Sequence, residues 1–498
     1  MNFIEINNNQ CIELASIPRL KYELFYEAIL HLAEDIDNHC VSYFGVPSGG
    51  KLTLFCCIAN DKNAKILITS SEIDVSEEYP SLTEKKYAFH CFEREIAENY
   101  GIKFSNHPWL KPVRYPYNRF DKNNSIDNYP FYSIESEELH EVGVGPVHAG
   151  IIEPGHFRFI CNGEQILHLE IQLGYQHRGI ESLIINKKGL NQKVLLSENI
   201  AGDTVVGHTS SFVNVWESLC KFKPSDKLVN ERALALEIER IAIHTGDLSA
   251  ISTDIAYQLG SSVFGRLRTP IINFFQTWCG NRLAKSLIRP GKTNYPFTDA
   301  LADNLNSVLD KYEPDFIEMY DCLSDLPSAL SRLEKTGVVT KETASSLGLV
   351  GMAAKASGFK RDIRASHPQG WFADQTHDPV IKRHGDVFSR TQMRKEEIVQ
   401  SMAYVRNYIN NEKHIAFEEE KMSVPMPDSF AISLIEGWRG EICHCALTDS
   451  EGNLAAYKVK DPSFHNWMAL AMAVRNNEIS DFPICNKSFN LSYCGFDL

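Results

Sequence analysis

Thirteen cysteines are the first residues to examine for a metal or redox centre, and their spacing argues against the common kinds. They are scattered along the chain; the close pairs are Cys56 with Cys57 and Cys443 with Cys445, and no C-x-x-C occurs. A zinc ribbon or a four-cysteine iron–sulfur site needs clustered thiolates, so both are disfavoured. Cys443 and Cys445 alternate on one expected strand and project to the same face, but a metal site built on them needs further ligands. An odd number of cysteines in a long chain without a secretion signal points to reduced thiols.

Other chemistry lies in carboxylates and imidazoles. Glu181 follows His177-Arg178-Gly179, and a partly buried carboxylate with a raised pKa passes protons. His148 and His156 flank Glu153-Pro154-Gly155, and a neutral imidazole donates a hydrogen bond and then a proton. Asp203, Thr204 and His208 offer a polar lining, and Asp362, Arg364 and Arg439, if buried, must be paired. Each has a plainer reading: Glu181 as a cap or ion pair, the two histidines as turn caps, and Asp203, Thr204 and His208 as partners for buried backbone groups and water. Asp362, Arg364 and Arg439 equally suit structural ion pairs. No glycine-rich dinucleotide fingerprint is present.

These residues need elements to position them. Leu24, Phe25, Ala28, Ile29 and Leu32 have helical spacing, whereas Leu52–Ile58 and Ala64–Thr69 are apolar runs of strand length. Phe92, Ile96 and Tyr100 predict a one-faced helix that Gly101 ends. The stretch from Tyr115 to Glu138 is polar and aperiodic, as a linker is. Beyond it, two strands are expected around Asn162-Gly163. A buried helix is expected at Asn230–Asp247, another helix at Lys395–Ile409, and β alternation from Gly437 to Tyr457. The 498 residues suit two or three domains. The net charge of −14 and the lack of an apolar span exclude a nucleic-acid binder and an integral membrane protein. The start Met-Asn-Phe-Ile-Glu-Ile-Asn lacks the features of a signal peptide.

Two groups of motifs carry a resemblance. Phe89-His90-Cys91-Phe92-Glu93-Arg94-Glu95, then Tyr100-Gly101-Ile102-Lys103-Phe104 and His107-Pro108, resemble the signature of the small peripheral-arm subunit of respiratory complex I. Gly145-Pro146-Val147-His148, Glu153-Pro154-Gly155-His156-Phe157-Arg158 and Tyr175-Gln176-His177-Arg178-Gly179-Ile180-Glu181 resemble the start of the large subunit of membrane-bound [NiFe] hydrogenases. Downstream, Glu237-Ile238-Glu239-Arg240-Ile241, Arg361-Asp362-Ile363-Arg364 and Glu436-Gly437-Trp438-Arg439-Gly440-Glu441 keep the register. Fused in this order, the modules are similar to large subunits of the formate-hydrogenlyase type and to the complex I large peripheral-arm subunit. The resemblance implies an α+β fold: a small α/β domain at 1–114, a linker at 115–138, and at 139–498 a mainly helical hydrogenase large-subunit-like domain with small β-sheets.

Active relatives hold nickel and iron with four thiolates in two C-x-x-C motifs, because soft thiolates suit both metals. In this sequence Ala201 and Thr204 stand where the first pair belongs, Leu491 replaces one ligand of the second, and only Cys494 is retained. The chain ends just after this motif, without the tail that maturation proteases remove. The resemblance therefore implies a subunit that has lost the nickel site, as in complex I, where the emptied region forms a quinone cavity. The tyrosine that partners the histidine there has no counterpart, since Ala201 to Thr204 occupies that stretch.

On this reading Glu181, His148 and His156 are the proton and quinone candidates, and Asp203, His208, Arg364 and Arg439 line the cavity. The chain itself is expected to bind no cofactor and, alone, to be inactive. A [4Fe–4S] cluster is expected on an iron–sulfur small subunit, with membrane ion-translocating, antiporter-like subunits beyond it and a quinone as a candidate acceptor. The expected place is the cytoplasmic side of the inner membrane, peripheral, with membrane contact through partners. The alternative is a redox-silent scaffold joining a peripheral arm to the membrane subunits; an active hydrogenase comes third.

Overall fold

The computed structural model describes residues 2–150, 152–411 and 422–498. The first unit is a sheet with antiparallel strands in the order Ile4–Ile6, Lys65–Ile73, Lys51–Asn60, Asn38–Ser48, and Arg19–Leu20 pairs parallel with Lys65–Ile73. Tyr22, Phe25 and Ile29 of the helix Tyr22–Leu32 cover one face through Tyr43, Leu54 and Cys56. Val41, Phe55 and Cys57 point the other way, onto Phe430, Ile432 and Cys445 of a second sheet. Burial on both faces explains why Leu52–Ile58 reads as a continuous apolar run rather than an alternation.

The second sheet runs Leu454–Lys460, Glu441–Thr448, Ser429–Glu436 and then Cys11–Glu13, a strand contributed by the N-terminal segment. Its outer face meets the helix Val205–Leu219 through Phe212, Val215 and Tyr457. The expected strands after Gly437 are present with their turn at Asp449–Asn453, and Ser429–Glu436 joins them. The strands His156–Asn162 and Gln165–Gln172 form the hairpin read from Asn162-Gly163, with Gly163 at φ 58°.

The signature helix is His90–Tyr100, closed by Gly101 at φ 74° in the left-handed region that glycine adopts without strain. The buried helix extends beyond its sequence core to Asp226–Asp254, capped where the Ser225 hydroxyl accepts from the Leu228 amide. Gln258–Cys279, Asp299–Ser324 and Val387–Asn411 complete the helical part. The structure is α+β, a small sheet domain followed by a largely helical one, as the motifs implied. Residues 115–138 carry little regular structure, yet Ile126 and Tyr132 bond to Gln172 and Glu170 of the hairpin. No helix among the described residues is long and apolar enough to cross a membrane.

Candidate functional site

The two motif segments, which keep only Cys494 of the four expected cysteines, lie together, joined by two arginines. Arg439 Nη2 donates to Asp203 Oδ2 at 2.7 Å, its Nη1 to Thr204 Oγ1 at 3.2 Å, and its Nε to the Asn490 carbonyl at 2.6 Å. Arg178 donates to the carbonyls of Asn199, Ile200 and Cys494. The Arg439 guanidinium lies 4.0 Å over the Trp438 ring, and Trp438 Nε1 donates to the Asp203 carbonyl at 2.8 Å. Ala201, Thr204, Leu491 and Cys494 are all buried. Cys494 keeps its proton: burial, then the Glu153 carboxylate, pushes its thiol up to about 12. Leu491, Tyr493 and Phe496 belong to the main core, where Tyr493 packs edge-on to Trp467 at 4.8 Å.

A hydrogen-bonded file of buried side chains runs beside this joint. Asp461 Oδ2 meets His208 Nε2 at 3.0 Å, His208 Nδ1 meets His444 Nε2 at 3.1 Å, and His444 Nδ1 meets the Tyr457 hydroxyl at 2.7 Å. Against the cost of burial, His208 and the charge of Arg439 hold the Asp461 carboxyl down at about 2, so it accepts only. Burial and His208 push the His444 pKa well below its ordinary value, keeping that ring neutral. One arrangement of protons satisfies every contact: Tyr457 O–H donates to His444, His444 Nε2–H to His208, and His208 Nε2–H to Asp461. The Asp461 end abuts the C-terminal motif so closely that a Cβ on Gly495 would lie 2.7 Å from Oδ2.

At the other end Tyr457 lines a cavity of about 300 Å³ together with Glu181, His177, Lys458, Glu95 and Tyr100. Glu181 opens the helix Ile180–Asn186, accepts from the Val459 amide at 2.9 Å and pairs with Lys458 at 3.1 Å, while its side chain stays 25% exposed. Lys458 also bonds Glu95 of the signature helix at 2.5 Å, and Glu95 pairs with Arg114. The first unit thereby supplies part of this cavity's wall.

His148 and His156 tie their own loop: His148 Nε2 bonds the Gly155 carbonyl at 2.8 Å and His156 Nδ1 the Gly145 carbonyl at 3.1 Å. That loop touches the C-terminal motif through Glu153, which accepts from the Cys494 amide, and through Gly155 against Tyr493. Its tip exposes Val147 at 78%.

Arg364 lies inside a buried ion network, and its partners are Asp362 and Glu237 rather than the residues of the joint. It donates to Asp362 at 2.8 Å and to Glu237 at 3.2 Å. Lys355 pairs with Asp362 and Glu397, and Arg240 joins Glu237 and Glu397 to the Gly437 carbonyl. Arg364 and Asp362 stand out in the sequence motifs, whereas Lys355, Glu397, Asp461, His444 and Tyr457 were missed there. Those five stand alone in ordinary local sequence, and only the sheet register and helix packing bring them together. Cys443 and Cys445 do face the same way, with Sγ atoms 3.8 Å apart, and all thirteen cysteines are free.

Glu239 stands within the motif at 237–241 but was not singled out there as a site residue. Its carboxylate accepts from the amides of Val206 and Gly207, at 2.8 and 3.3 Å, where the helix Val205–Leu219 begins. Burial outweighs those bonds and, with Asp203 adding to it, pushes its pKa from 4.5 up to about 8. A carboxyl raised on folding stabilises below its unfolded value and loses that contribution as pH rises through the folded value. Denaturant titrations from pH 5 to pH 8 are therefore expected to show stability falling by up to about 1.4 kcal/mol per pH unit from this one group. Glu239→Gln should flatten that component, and identical slopes in the two proteins would refute the assignment.

Comparison with known proteins agrees with the architecture. Residues 19–130 match the family model described as respiratory-chain NADH dehydrogenase, 30 Kd subunit, and residues 260–429 that of its 49 Kd subunit. Hydrogenase-4 component G of Escherichia coli is 25% identical over 435 residues, covering 84% of this chain and 75% of the relative. Formate hydrogenlyase subunit 5 of Escherichia coli is 26% identical over 467 residues, 89% and 81% of the two chains. The C/D polypeptide of the NADH-quinone oxidoreductase of Phocaeicola vulgatus is 24% identical over 440 residues, 81% and 84%. The chain is thus a fused subunit of the complex I and energy-converting hydrogenase family, joining a 30-kDa-type and a 49-kDa-type domain in one polypeptide.

Proposed function

We propose that this chain is the fused peripheral subunit of a membrane-associated complex I-like assembly, that it holds no [NiFe] centre, and that it contributes proton transfer to electron flow carried by a partner's iron–sulfur cluster. The donor set does not fit nickel and iron. At the four ligand positions stand Ala201, Thr204, Leu491 and a protonated Cys494, with the Arg439 guanidinium against Thr204. Among the described residues no three His, Cys, Asp or Glu side chains converge on a metal-sized site.

The observation that carries the proton reading is the file Tyr457, His444, His208, Asp461, linking the Glu181 cavity to the joint between the motif segments. Tyr457 donates, His444 and His208 each donate and accept, and Asp461 ends the file as a carboxylate, so a proton entering at Tyr457 shifts every bond in one direction. Asp203, 36% exposed and paired with Arg439, supplies a wet group at the far side. A quinone seat at His148 and His156 has less support, because both imidazoles bond to carbonyls of their own loop and Leu491, Tyr493 and Phe496 fill the space beneath. The exposed Val147 tip suits contact with a partner subunit.

The test is the assembly purified without oxygen, with metal analysis, electron paramagnetic resonance and proton uptake per electron. The expected result is nickel far below one per complex, a cluster signal, and at least about tenfold slower coupled proton uptake in Tyr457→Phe, with the cluster signal unchanged. Stoichiometric nickel would overturn the reading of the metal site, and unchanged uptake in Tyr457→Phe would overturn the proton file.

A further inference from the structure

A second cavity, about 420 Å³, lies where the signature helix meets the hairpin strand Gln165–Gln172 and the helix Ser463–Ala473. Its size falls in the range of about 300–1,000 Å³ usual for small-molecule sites. Trp109, Trp467, Met468, Met472 and Leu169 make most of its wall apolar. Methionines at such a wall adapt to the shape of what they contact.

The charge on that wall is unbalanced. Glu170 is satisfied by Lys111 at 2.5 Å and by the Tyr132 amide at 2.7 Å. Arg94 spends its donors on the Lys111 and Pro112 carbonyls and lies 4.2 Å over the Trp109 ring. Arg475 makes one side-chain hydrogen bond among the described residues, to His168 Nδ1 at 3.4 Å, and its Nε is buried without a partner. Among the described residues no carboxylate oxygen lies within 4.0 Å of either guanidinium. Burial, then Arg94, pushes the His90 pKa well below its ordinary value, so that ring adds no charge.

We propose that this cavity binds a carboxylate with an apolar body, the carboxylate on Arg475 and His168 and the body against Trp109, Trp467 and the two methionines. A planar guanidinium edge matches the two oxygens of a carboxylate. One available edge in a mainly apolar wall suits a single negative charge; a phosphate dianion would leave oxygens unmatched.

The test uses the full chain and the fluorescent fatty acid cis-parinarate, displaced by dodecanoate, 2-naphthoate or dodecanol. The expected result is that the better of the two carboxylates displaces the probe at concentrations at least about tenfold below dodecanol. Arg475→Gln is expected to close that gap, and Met468→Trp, which fills the cavity, to abolish probe binding, with thermal melts confirming that both variants fold. A preference for dodecanoate marks a lipid-derived acid and a preference for 2-naphthoate a compact aromatic one. Failure of the probe to bind, dodecanol matching both carboxylates, an unchanged gap in Arg475→Gln, or full binding in Met468→Trp would each overturn the assignment.

Discussion

Arg364→Met is expected to destabilise the chain by about 3–5 kcal/mol, because it removes a cation from between two fully buried carboxylates. Arg364 reaches Asp362 with Nε and Nη2 at 3.1 and 2.8 Å and Glu237 with Nη1 at 3.2 Å. Against burial, Arg364 and Lys355 hold the Asp362 carboxyl well below the usual range. Without the guanidinium, Lys355 is left to balance Asp362 and Glu397 together, and Arg240 is left as the cation beside Glu237. Methionine restores much of the volume, so the loss reads as electrostatic rather than as a cavity. Removing Glu237 as well, in Arg364→Met with Glu237→Leu, is expected to recover at least half of it. Denaturant midpoints of the two variants decide the matter: a single variant within about 1 kcal/mol of the parent would mean that the network does not act as a unit.

His208→Gln carries the largest expected effect on function. Glutamine keeps an N–H for Asp461 and a polar oxygen for the neighbouring ring, so the packing around Asp461 and His444 is retained. An amide does not take up and release a proton near neutral pH, so the file is cut at its centre. Coupled proton uptake in the assembly is expected to fall by about 100-fold or more, the lower end of what a positioned acid–base group supplies. The partner's cluster signal and the melting temperature should stay near the parent's. Normal uptake in this variant would exclude the file as the route.

Much of the architecture was legible because it rests on local rules. The signature helix shows itself by Phe92, Ile96 and Tyr100 and stops at Gly101, and the hairpin by alternation around Asn162-Gly163. The joint was legible in part: Asp203, His208 and Arg439 stand within motifs, and the structure brings all three to the same place. The rest of the file was hidden because His444, Tyr457 and Asp461 sit in separate strand and turn positions of a polar and apolar alternation that any sheet shows. Strand pairing sets His444 two residues off from Tyr457 on the same face, and the helix Val205–Leu219 lays His208 across them, a long-range arrangement without local signal. The strand Cys11–Glu13 was invisible for the same reason, since three residues carry no period.

That short strand shapes how the molecule comes to exist. Asn8 bonds Leu434 across 426 positions of sequence, and Cys11, Ile12 and Glu13 complete the edge of a sheet whose other strands lie between Ser429 and Lys460. The segment around Cys11 is therefore made long before the strand Ser429–Glu436 that it pairs with. Closing so long a loop costs entropy that only the finished sheet repays. The two modules match separate family models, yet residues 11–13 and 429–431 belong to one sheet.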